Sequence, residues 1–267
     1  MTPSTLKADF FERGWVRFPS DPRLLDWIEQ SLPAARSTVV DPANEQWHRC
    51  GGTWFAGVNV LPNDDAGAVK GGPPLSGKAV DFVREVLGLQ GFAWDKAQIS
   101  ICYPGYPKPM EGEPDAGYRF RLYRDAAHVD GLLPEGPERR RFLREYHGFV
   151  LGFPMVAFSD DASPLVVWEG SHDVVRKAFR DIYKNYQPKD WPNIDVTEPY
   201  HALRRRIFDT CRRVTVTAKP GEAYLVHRLA LHGVAPWSDT AAAGPDGRMI
   251  AYFRPDIGGP ADWLNAK

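Results

Sequence analysis

The chain has 267 residues, with 33 Lys and Arg against 34 Asp and Glu and a formal net charge of −1. Hydrophobic residues make up 43% and charged residues 25%, a composition typical of a folded globular protein that excludes intrinsic disorder. The balanced charge argues against nucleic acid as a partner, because binding to phosphates requires an excess of basic side chains.

Three cysteines, Cys50, Cys102 and Cys211, lack the short spacing of a zinc knuckle or a disulfide framework. The first twenty residues place acids and arginines where a signal peptide needs an apolar run. No stretch approaches the roughly 18 apolar residues of a membrane span. We therefore expect a cytoplasmic protein without a membrane partner.

The predicted elements begin with helices. A short helix over 5–13 precedes a strand over 15–18. Asp21 and Pro22 predict a helix start, because a capping side chain is followed by a residue without an amide proton. A further helix is predicted over 76–87.

From residue 97 onward the pattern changes to the alternation typical of strands. Strands are predicted over 98–103, 118–123, 148–158, 164–168, 213–217, 223–231 and 248–253, and helices over 172–186 and 200–211. These elements favour a mostly β fold with the helices packed outside the β core.

Since no linker separates these blocks, we expect a single domain over 1–267. It consists of an N-terminal helical or cover region over 1–96 and a β core over 97–257, with a helical insert at about 172–211.

The most informative local string is Ala127-His128-Val129-Asp130-Gly131. Residues two apart on a strand point to the same side, so an imidazole and a carboxylate can face one point. A distant second histidine would complete a facial triad, which suits non-heme Fe(II) because three of six coordination positions stay open. A His-x-Asp pair alone also arises by chance as a surface or core pair.

Two features later in the sequence support a metal site at the His-x-Asp pair. The segment 219–233 predicts a turn leading into a strand that ends in His232-Gly233. Arg248 then opens the apolar segment 249–253. A buried arginine is costly unless it meets an anion, and its planar fork matches a carboxylate.

With these elements in this order, the chain resembles the phytanoyl-CoA dioxygenase-like family of Fe(II)/2-oxoglutarate-dependent oxygenases. The resemblance covers most of the chain, including the strings at 10–19 and 164–172. The chain departs from the family pattern at Ser163-Pro164, where Asn-Gly is common, and at Glu169, where Pro is usual.

The resemblance implies a double-stranded β-helix (jelly-roll, cupin-like) core in which His128, Asp130 and His232 hold Fe(II) and Arg248 holds the distal carboxylate of 2-oxoglutarate. It further implies O2-dependent hydroxylation of a small molecule, with release of succinate and CO2. Halogenating relatives replace the carboxylate ligand with a small residue, so Asp130 favours hydroxylation or another oxidation. Gln98 is a further candidate contact to the cosubstrate, as are Ser100 and Tyr103 on the same predicted strand.

His227 competes with His232 as the distal ligand. The two are five residues apart and would face opposite sides of one regular strand, so only one can point at the metal. The His-Gly pair and the spacing to Arg248 favour His232, which leaves His227 as a neighbouring or packed histidine.

Several other side chains have both a functional and a structural interpretation. The basic run after the metal motif is predicted either to contact an anionic substrate group or to form a solvated helix face offset by Glu138 and Glu145; it consists of Arg139, Arg140, Arg141 and Arg144. Arg121 and Arg124, seven and four residues before His128, are further candidates to face the pocket and contact the substrate. The other candidates are His147, Phe153 and Trp168 for the pocket wall, His172 for ordering the following helix, and the segment 47–55 as a substrate lid. Cys102 is assigned to packing.

Two alternatives remain at this point. One is a β-helix that binds a ligand without turnover, since fold does not fix function. The other is a zinc hydrolase, which would need a general base beside the ligands and would leave Arg248 without a role. The sequence carries no signal for an oligomeric state.

Overall fold

In the computed structural model, which describes residues 3–266, the chain forms two facing antiparallel sheets with helices on their outer sides. The helices are α1 (Pro3–Arg13), α2 (Pro22–Val40), α3 (Lys78–Glu85), α4 (Asp115–Arg124), α5 (Ser171–Tyr183), α6 (Thr197–Thr210) and α7 (Pro260–Asn265). The strands are β1 (Trp15–Phe18), β2 (His48–Arg49), β3 (Trp54–Phe55), β4 (Gln98–Cys102), β5 (Leu132–Glu135), β6 (Arg140–Leu143), β7 (Phe149–Pro154), β8 (Leu165–Trp168), β9 (Arg213–Val216), β10 (Ala223–His227), β11 (His232–Val234) and β12 (Arg248–Phe253). None of the described helices has the length and apolarity needed to cross a membrane.

The order of the strands identifies the architecture. The large sheet runs β1-β10-β7-β12-β4-β3-β2 and the small sheet runs β11-β8-β9. A backbone pair between His128 and His232 adds the segment before β5 to the free side of β11. From β4 onward the chain therefore visits the sheets in the order large, small, large, small, small, large, small, large, which is the winding of a jelly roll. The predicted double-stranded β-helix is confirmed.

Each sheet buries both of its faces. The space between the sheets is filled by side chains from both, such as Val150 and Ile250 from the large sheet and Val167 from the small one. The residues next to them in sequence, such as Leu151 and Ala251, point outward into a second core. Because strand neighbours alternate in direction, every strand residue can be assigned to the barrel interior or to an outer face.

The helices cover the outer faces, as predicted. Side chains of α1, α2 and α3 pack on the back of the large sheet, and those of α5, α6 and α7 pack on the back of the small sheet. The predicted start of α2 is also confirmed: Asp21 accepts a hydrogen bond from the Arg23 amide at 2.9 Å, and Pro22 occupies the first helical position.

The prediction of a strand over 118–123 was wrong, because this segment belongs to α4. The alternating aromatic residues suit a strand, but Asp115 in the first turn and arginines in the last turn complement the helix dipole. The helix ends at Asp125, which takes a left-handed conformation with φ of 54°.

The predicted helix face at 139–145 is also wrong, since this run lies in the β5–β6 hairpin. The Gly136-Pro137 pair before it marks the turn of that hairpin. The predicted strand over 223–231 is too long, because β10 ends at His227 and a turn follows over 228–230. Arg228 lies in this turn, and its buried side chain donates to the carbonyl of Trp263 at 2.6 Å.

Candidate metal centre

The backbone places two of the predicted ligands directly opposite each other. The His128 amide donates to the His232 carbonyl at 2.8 Å, and the His232 amide donates to the His128 carbonyl at 3.0 Å. Residues paired in this way across antiparallel strands carry their side chains on the same side. His232 also lies opposite Val167, whose side chain fills the barrel interior, so both imidazoles face inward.

Backbone carbonyls fix which ring nitrogen of each histidine is free. The Nδ1 atom of His128 lies 3.0 Å from the carbonyl oxygen of Ala126, and that of His232 lies 2.9 Å from the carbonyl oxygen of Ala230. A carbonyl oxygen only accepts, so Nδ1 carries the proton in both rings. With Nδ1 protonated, the neutral form of each imidazole presents an unprotonated Nε2.

Asp130 completes the set. Its Oδ1 atom lies 3.1 Å from Nε2 of His128 and 3.7 Å from Nε2 of His232. The three ligand atoms all lie within 4.8 Å of one another. The Asp130 side chain is 5% exposed whereas that of His128 is 49% exposed, so the cluster is open to solvent on the His128 side.

Electrostatics keep this carboxylate ionised. Burial alone would raise the pKa of Asp130, but His232, His128 and Arg254 together hold that pKa well below its usual range. Burial lowers the pKa of His232, although Asp130 opposes this effect. The lowered pKa favours the neutral form of His232. A carboxylate and neutral imidazoles are the protonation states that ligate a metal.

These atoms fit a divalent cation. Two unprotonated Nε2 atoms and one carboxylate oxygen are all electron-pair donors, and they face one another inside the protein. The second carboxylate oxygen, Oδ2 of Asp130, is buried without a hydrogen-bond partner. Hydrogen-bond acceptors that face one another are unfavourable unless a cation lies between them. Two histidines with one carboxylate are the ligand set of non-heme Fe(II) sites.

The chain around the ligands is held by three separate contacts. Arg213 donates twice to the carboxylate of Asp125, at 2.8 and 2.7 Å. The amide of Val129 donates to the hydroxyl of Tyr200 at 2.9 Å, and Arg204 donates to the carbonyl of Ala127 at 3.3 Å. Tyr200 and Arg204 both belong to α6, so the helical insert fixes the segment that carries two of the ligands.

Gly233 explains the His-Gly pair of the sequence. A Cβ atom at this position would lie 2.1 Å from the carbonyl oxygen of Asp125. The strand after His232 can therefore approach the His128 segment only with glycine at 233.

Arg248 lies at the start of β12 and faces the same interior, since it alternates with Ile250 and Tyr252. Its side chain is 2% exposed. Its Nη2 donates to the Tyr252 hydroxyl at 3.2 Å, while Nε and Nη1 are buried without a partner. A buried guanidinium with two free donor nitrogens is expected to meet an anion.

Two tyrosine hydroxyls lie beside the Arg248 guanidinium and add hydrogen-bond donors to it. The Tyr224 hydroxyl donates to the Tyr252 hydroxyl at 3.1 Å. Since Tyr252 accepts from both Tyr224 and Arg248, its own proton remains available to a further acceptor. Gly152 leaves the room for both rings, because a Cβ there would lie 2.3 Å from Tyr224.

The candidates on β4 divide between two faces. Gln98 and Ser100 face the interior, because they lie opposite Tyr252 and Ile250. The Gln98 side-chain amide donates to the carbonyl of Ala56 at 2.8 Å. Tyr103 packs in the outer core, away from the interior.

His227 is separate from the triad. It ends β10 on the outer face, with Phe10 and His172 as ring neighbours at 5.7 and 4.8 Å. His227 ends β10 and His232 begins β11, so the prediction that they share one regular strand is wrong, although His232 is the histidine that lies in the cluster. His172 lies in α5 and donates from Nε2 to the carbonyl of Phe11 at 2.9 Å, which ties α5 to α1.

Five of the six candidate arginines make structural contacts. Arg121 is buried and paired with Glu113, and Arg124 lies over the ring of Phe208. Arg140 pairs with Glu138 and Asp195, Arg141 donates to the carbonyl of Leu132, Arg144 pairs with Glu135, and Arg139 is exposed in the hairpin turn.

The predicted wall and lid residues are packing residues. Phe153 packs in the outer core of the large sheet and Trp168 in that of the small sheet. The segment 47–55 forms the edge of the large sheet through β2 and β3, where Trp54 donates to the hydroxyl of Ser100 at 3.2 Å. Cys102 is fully buried opposite Arg248, and burial raises the pKa of its thiol to about 11.

Three side chains that surround the candidate site were not predicted from the sequence: Tyr200, Tyr224 and Tyr252. Spacing of two along β12 would have revealed Tyr252, since it continues the face of Arg248. No sequence signal points to Tyr200, because its contact depends on how α6 docks.

Comparisons with known proteins give similarities to solved structures only. No family model matches the chain, and no curated protein is similar to it at a significant level. EvdMO1 is 14% identical with a TM-score of 0.49, and the match covers 96% of this chain and 50% of that one. The chain thus spans about half the length of this neighbour.

The names of two further similar structures include α-ketoglutarate, which is the same compound as 2-oxoglutarate. The non-heme α-ketoglutarate-dependent epimerase SnoN from nogalamycin biosynthesis is 13% identical, with a TM-score of 0.47 and coverage of 95% and 83% of the two chains. EctD from S. alaskensis, solved with 2-oxoglutarate and 5-hydroxyectoine, is 15% identical, with a TM-score of 0.46 and coverage of 96% and 77%. At such identities and scores, the reaction of this chain has to be argued from its own residues.

His147 gives the protein a pH-dependent stability. Its Nε2 lies 3.0 Å from Glu145 and its Nδ1 lies 3.2 Å from Asp256. Burial alone would lower the pKa of His147, but the two carboxylates raise it to about 9. The folded protein thus holds a proton that the unfolded chain releases near pH 6.5. The contribution of His147 to the free energy of unfolding is therefore full below pH 6.5 and is lost as the pH rises through 9.

We expect the advantage of the wild type over His147→Gln in thermal unfolding to be largest below pH 6.5. It should shrink steadily up to pH 9 and then stay constant. A gap between the two proteins that is independent of pH would contradict the assigned protonation of His147.

Proposed function

We propose that the protein is an Fe(II)- and 2-oxoglutarate-dependent dioxygenase similar to the phytanoyl-CoA dioxygenase-like family, and that it oxidises a small molecule. The observation that carries the proposal is the convergence of three lone-pair atoms from His128, Asp130 and His232. The buried Arg248, which lacks an anionic partner among the described residues, supplies the second half of the argument.

The residues divide into a metal end and an anion end. His128 and His232 donate Nε2 lone pairs to the metal, and ionised Asp130 offsets part of its charge. Arg248 and the Tyr252 hydroxyl would hold the distal carboxylate of 2-oxoglutarate through their free donors. Both ends face the interior between the sheets, where apolar side chains exclude water and strengthen the charge pairing.

Bound at this site, ferrous iron and 2-oxoglutarate would supply the oxidation of a C–H bond by O2, with succinate and CO2 as co-products. The exposed side of His128 is the side from which a substrate would approach. A zinc hydrolase would leave Arg248 and its free donors without a role.

We further propose that the partner of the enzyme is a small-molecule substrate, rather than nucleic acid or a membrane, and that the enzyme acts in the cytoplasm. The free state of Cys50, Cys102 and Cys211 supports a reducing compartment.

Replacing the ligands tests the metal end. We expect His128→Ala and Asp130→Ala each to weaken Fe(II) binding by more than about 100-fold, because each removes one of three protein ligands. Both variants should lose 2-oxoglutarate-dependent succinate formation. They should also lose the weak visible charge-transfer band that anaerobic Fe(II) and 2-oxoglutarate are expected to produce in the wild type.

His201→Ala, a change of a half-buried histidine on α6, is the matched control and should retain all three properties. Succinate formation that survives both ligand substitutions would contradict the proposal. A wild-type protein that binds no iron would favour the binding module without turnover.

Replacing Arg248 tests the anion end. We expect Arg248→Gln to raise the KM for 2-oxoglutarate by roughly 30- to 150-fold, because loss of a charged hydrogen bond in a dry site costs about 2–3 kcal/mol. Steady-state kinetics with succinate as the readout would measure this change.

The control is Arg36→Gln, which removes a surface arginine paired with Asp246 at 2.7 Å. It should leave the KM unchanged. An Arg248→Gln enzyme with an unaltered KM would show that the distal carboxylate binds elsewhere.

A further inference from the structure

Two side chains of α6 bind the residues on either side of His128. Arg204 donates from Nη1 to the carbonyl of Ala127 at 3.3 Å. The Tyr200 hydroxyl accepts from the amide of Val129 at 2.9 Å. Since the side chain of His128 is 49% exposed and those of the other two ligands are buried, Tyr200 and Arg204 lie next to the most accessible metal ligand.

A third side chain, Arg141 of β6, binds the same part of the chain. It donates from Nη1 to the carbonyl of Leu132, two residues after Asp130, at 3.0 Å. Its backbone amide donates to the hydroxyl of Thr197 at the start of α6, at 2.8 Å. This side chain and the two on α6 are called the donor cluster, which consists of Arg141, Tyr200 and Arg204.

Each member of the donor cluster keeps donors that have no acceptor in residues 3–266. The Nε atom of Arg204 is buried without a partner, and Arg204 uses only Nη1 in a hydrogen bond. Arg141 likewise uses only Nη1 of its guanidinium. Tyr200 is 1% exposed and its hydroxyl accepts from a backbone amide, which leaves its own proton free. Buried donors in folded proteins are normally paired, so these donors point to a ligand.

Aromatic rings hold the Arg204 guanidinium in position. Its Cζ lies 4.6 Å from the centroid of the Phe120 ring and 4.9 Å from that of Tyr200. Contacts of this kind use the face of the guanidinium and leave its N–H groups available in the plane. A planar fork that is fixed in this way matches two oxygens of a phosphate.

No carboxylate offsets the charge of the donor cluster. Among the residues that the structure describes, neither Arg141 nor Arg204 forms an ion pair, whereas Arg140 and Arg144 each pair with a glutamate. Burial lowers the pKa of both unpaired guanidiniums, and the charge of Arg204 lowers that of Arg141 further. Two partly buried like charges destabilise the fold unless an anion binds between them.

We propose that the donor cluster binds a phosphate group of the substrate, whose remaining part extends to the metal centre. This inference rests on the proposed function and deepens it, because it names the class of substrate as a phosphate ester. Two guanidiniums match the charge of about −1.5 to −2 that such a group carries at pH 7. The proposed cosubstrate anchor, Arg248, lies on β12 of the large sheet, so the two anions have separate sites.

Calorimetric titration of the Mn(II)-loaded protein in saturating 2-oxoglutarate tests the inference. Mn(II) replaces the iron without turnover, and the metal and Arg248 are then already occupied. The probes are phenyl phosphate, benzoate, which carries a carboxylate instead, and inorganic phosphate, which lacks an organic part. We expect phenyl phosphate to bind at least about threefold more tightly than either of the other two probes.

Two variants and a control assign this binding to the donor cluster. Arg141→Gln and Arg204→Gln should each weaken the binding of phenyl phosphate by at least about tenfold, because each removes a charged hydrogen-bond donor. Arg205→Gln removes an exposed neighbouring arginine and should match the wild type. Arg141→Gln leaves the contact with Ala127 intact, so its loss cannot come from a displaced His128. The Mn(II) affinity and the unfolding midpoint of each variant show that the metal centre and the fold are retained.

The inference is overturned if both variants bind phenyl phosphate within twofold of the wild type, or if the wild type does not bind it. Equal affinity for inorganic phosphate would also overturn it, since the site would then serve a free ion, as would tighter binding of benzoate. In each of these cases, binding of 2-oxoglutarate to the wild type leaves the proposed function intact. A wild-type protein that does not bind 2-oxoglutarate would contradict the proposed function itself.

Discussion

The candidate site depends on one reciprocal pair of backbone hydrogen bonds between His128 and His232. This pair joins segments more than a hundred residues apart and turns both imidazoles to the same side. Each ring then donates from Nδ1 to a carbonyl two residues earlier, which leaves both Nε2 atoms directed at Asp130. Gly233 permits the close approach, since any side chain there would collide with the carbonyl of Asp125.

The barrel interior adds a second constraint, which is charge. Arg248 on β12 and Arg254 just after it project to the same side of the chain, into a space lined largely by apolar side chains and tyrosines. Buried cations are stable only with anions nearby, and Asp130 is close to only one of them. The metal ligands and the arginines are therefore complementary: the first group lacks a cation, and the second lacks an anion.

The sequence predicted the parts of this arrangement that follow from local spacing. The His-x-Asp pair, the His-Gly pair, the start of α2 and most strands are visible in residue order and periodicity. Helix α4 was missed because its alternating aromatics imitate a strand. The end of β10 was missed because the apolar run continues through the turn that follows His227. The contact of Tyr200 with Val129 depends on the docking of a helix seventy residues away, so no local pattern encodes it.

We propose that a single divalent ion binds between the three lone-pair atoms, with a dicarboxylate extending from it to Arg248. The most direct measurement is a crystal structure of the protein grown anaerobically with Fe(II) and 2-oxoglutarate. The account predicts metal density within bonding distance of Nε2 of His128, Nε2 of His232 and Oδ1 of Asp130, and a carboxylate on the guanidinium of Arg248. Metal bound elsewhere, or an Arg248 side chain without a carboxylate, would contradict it.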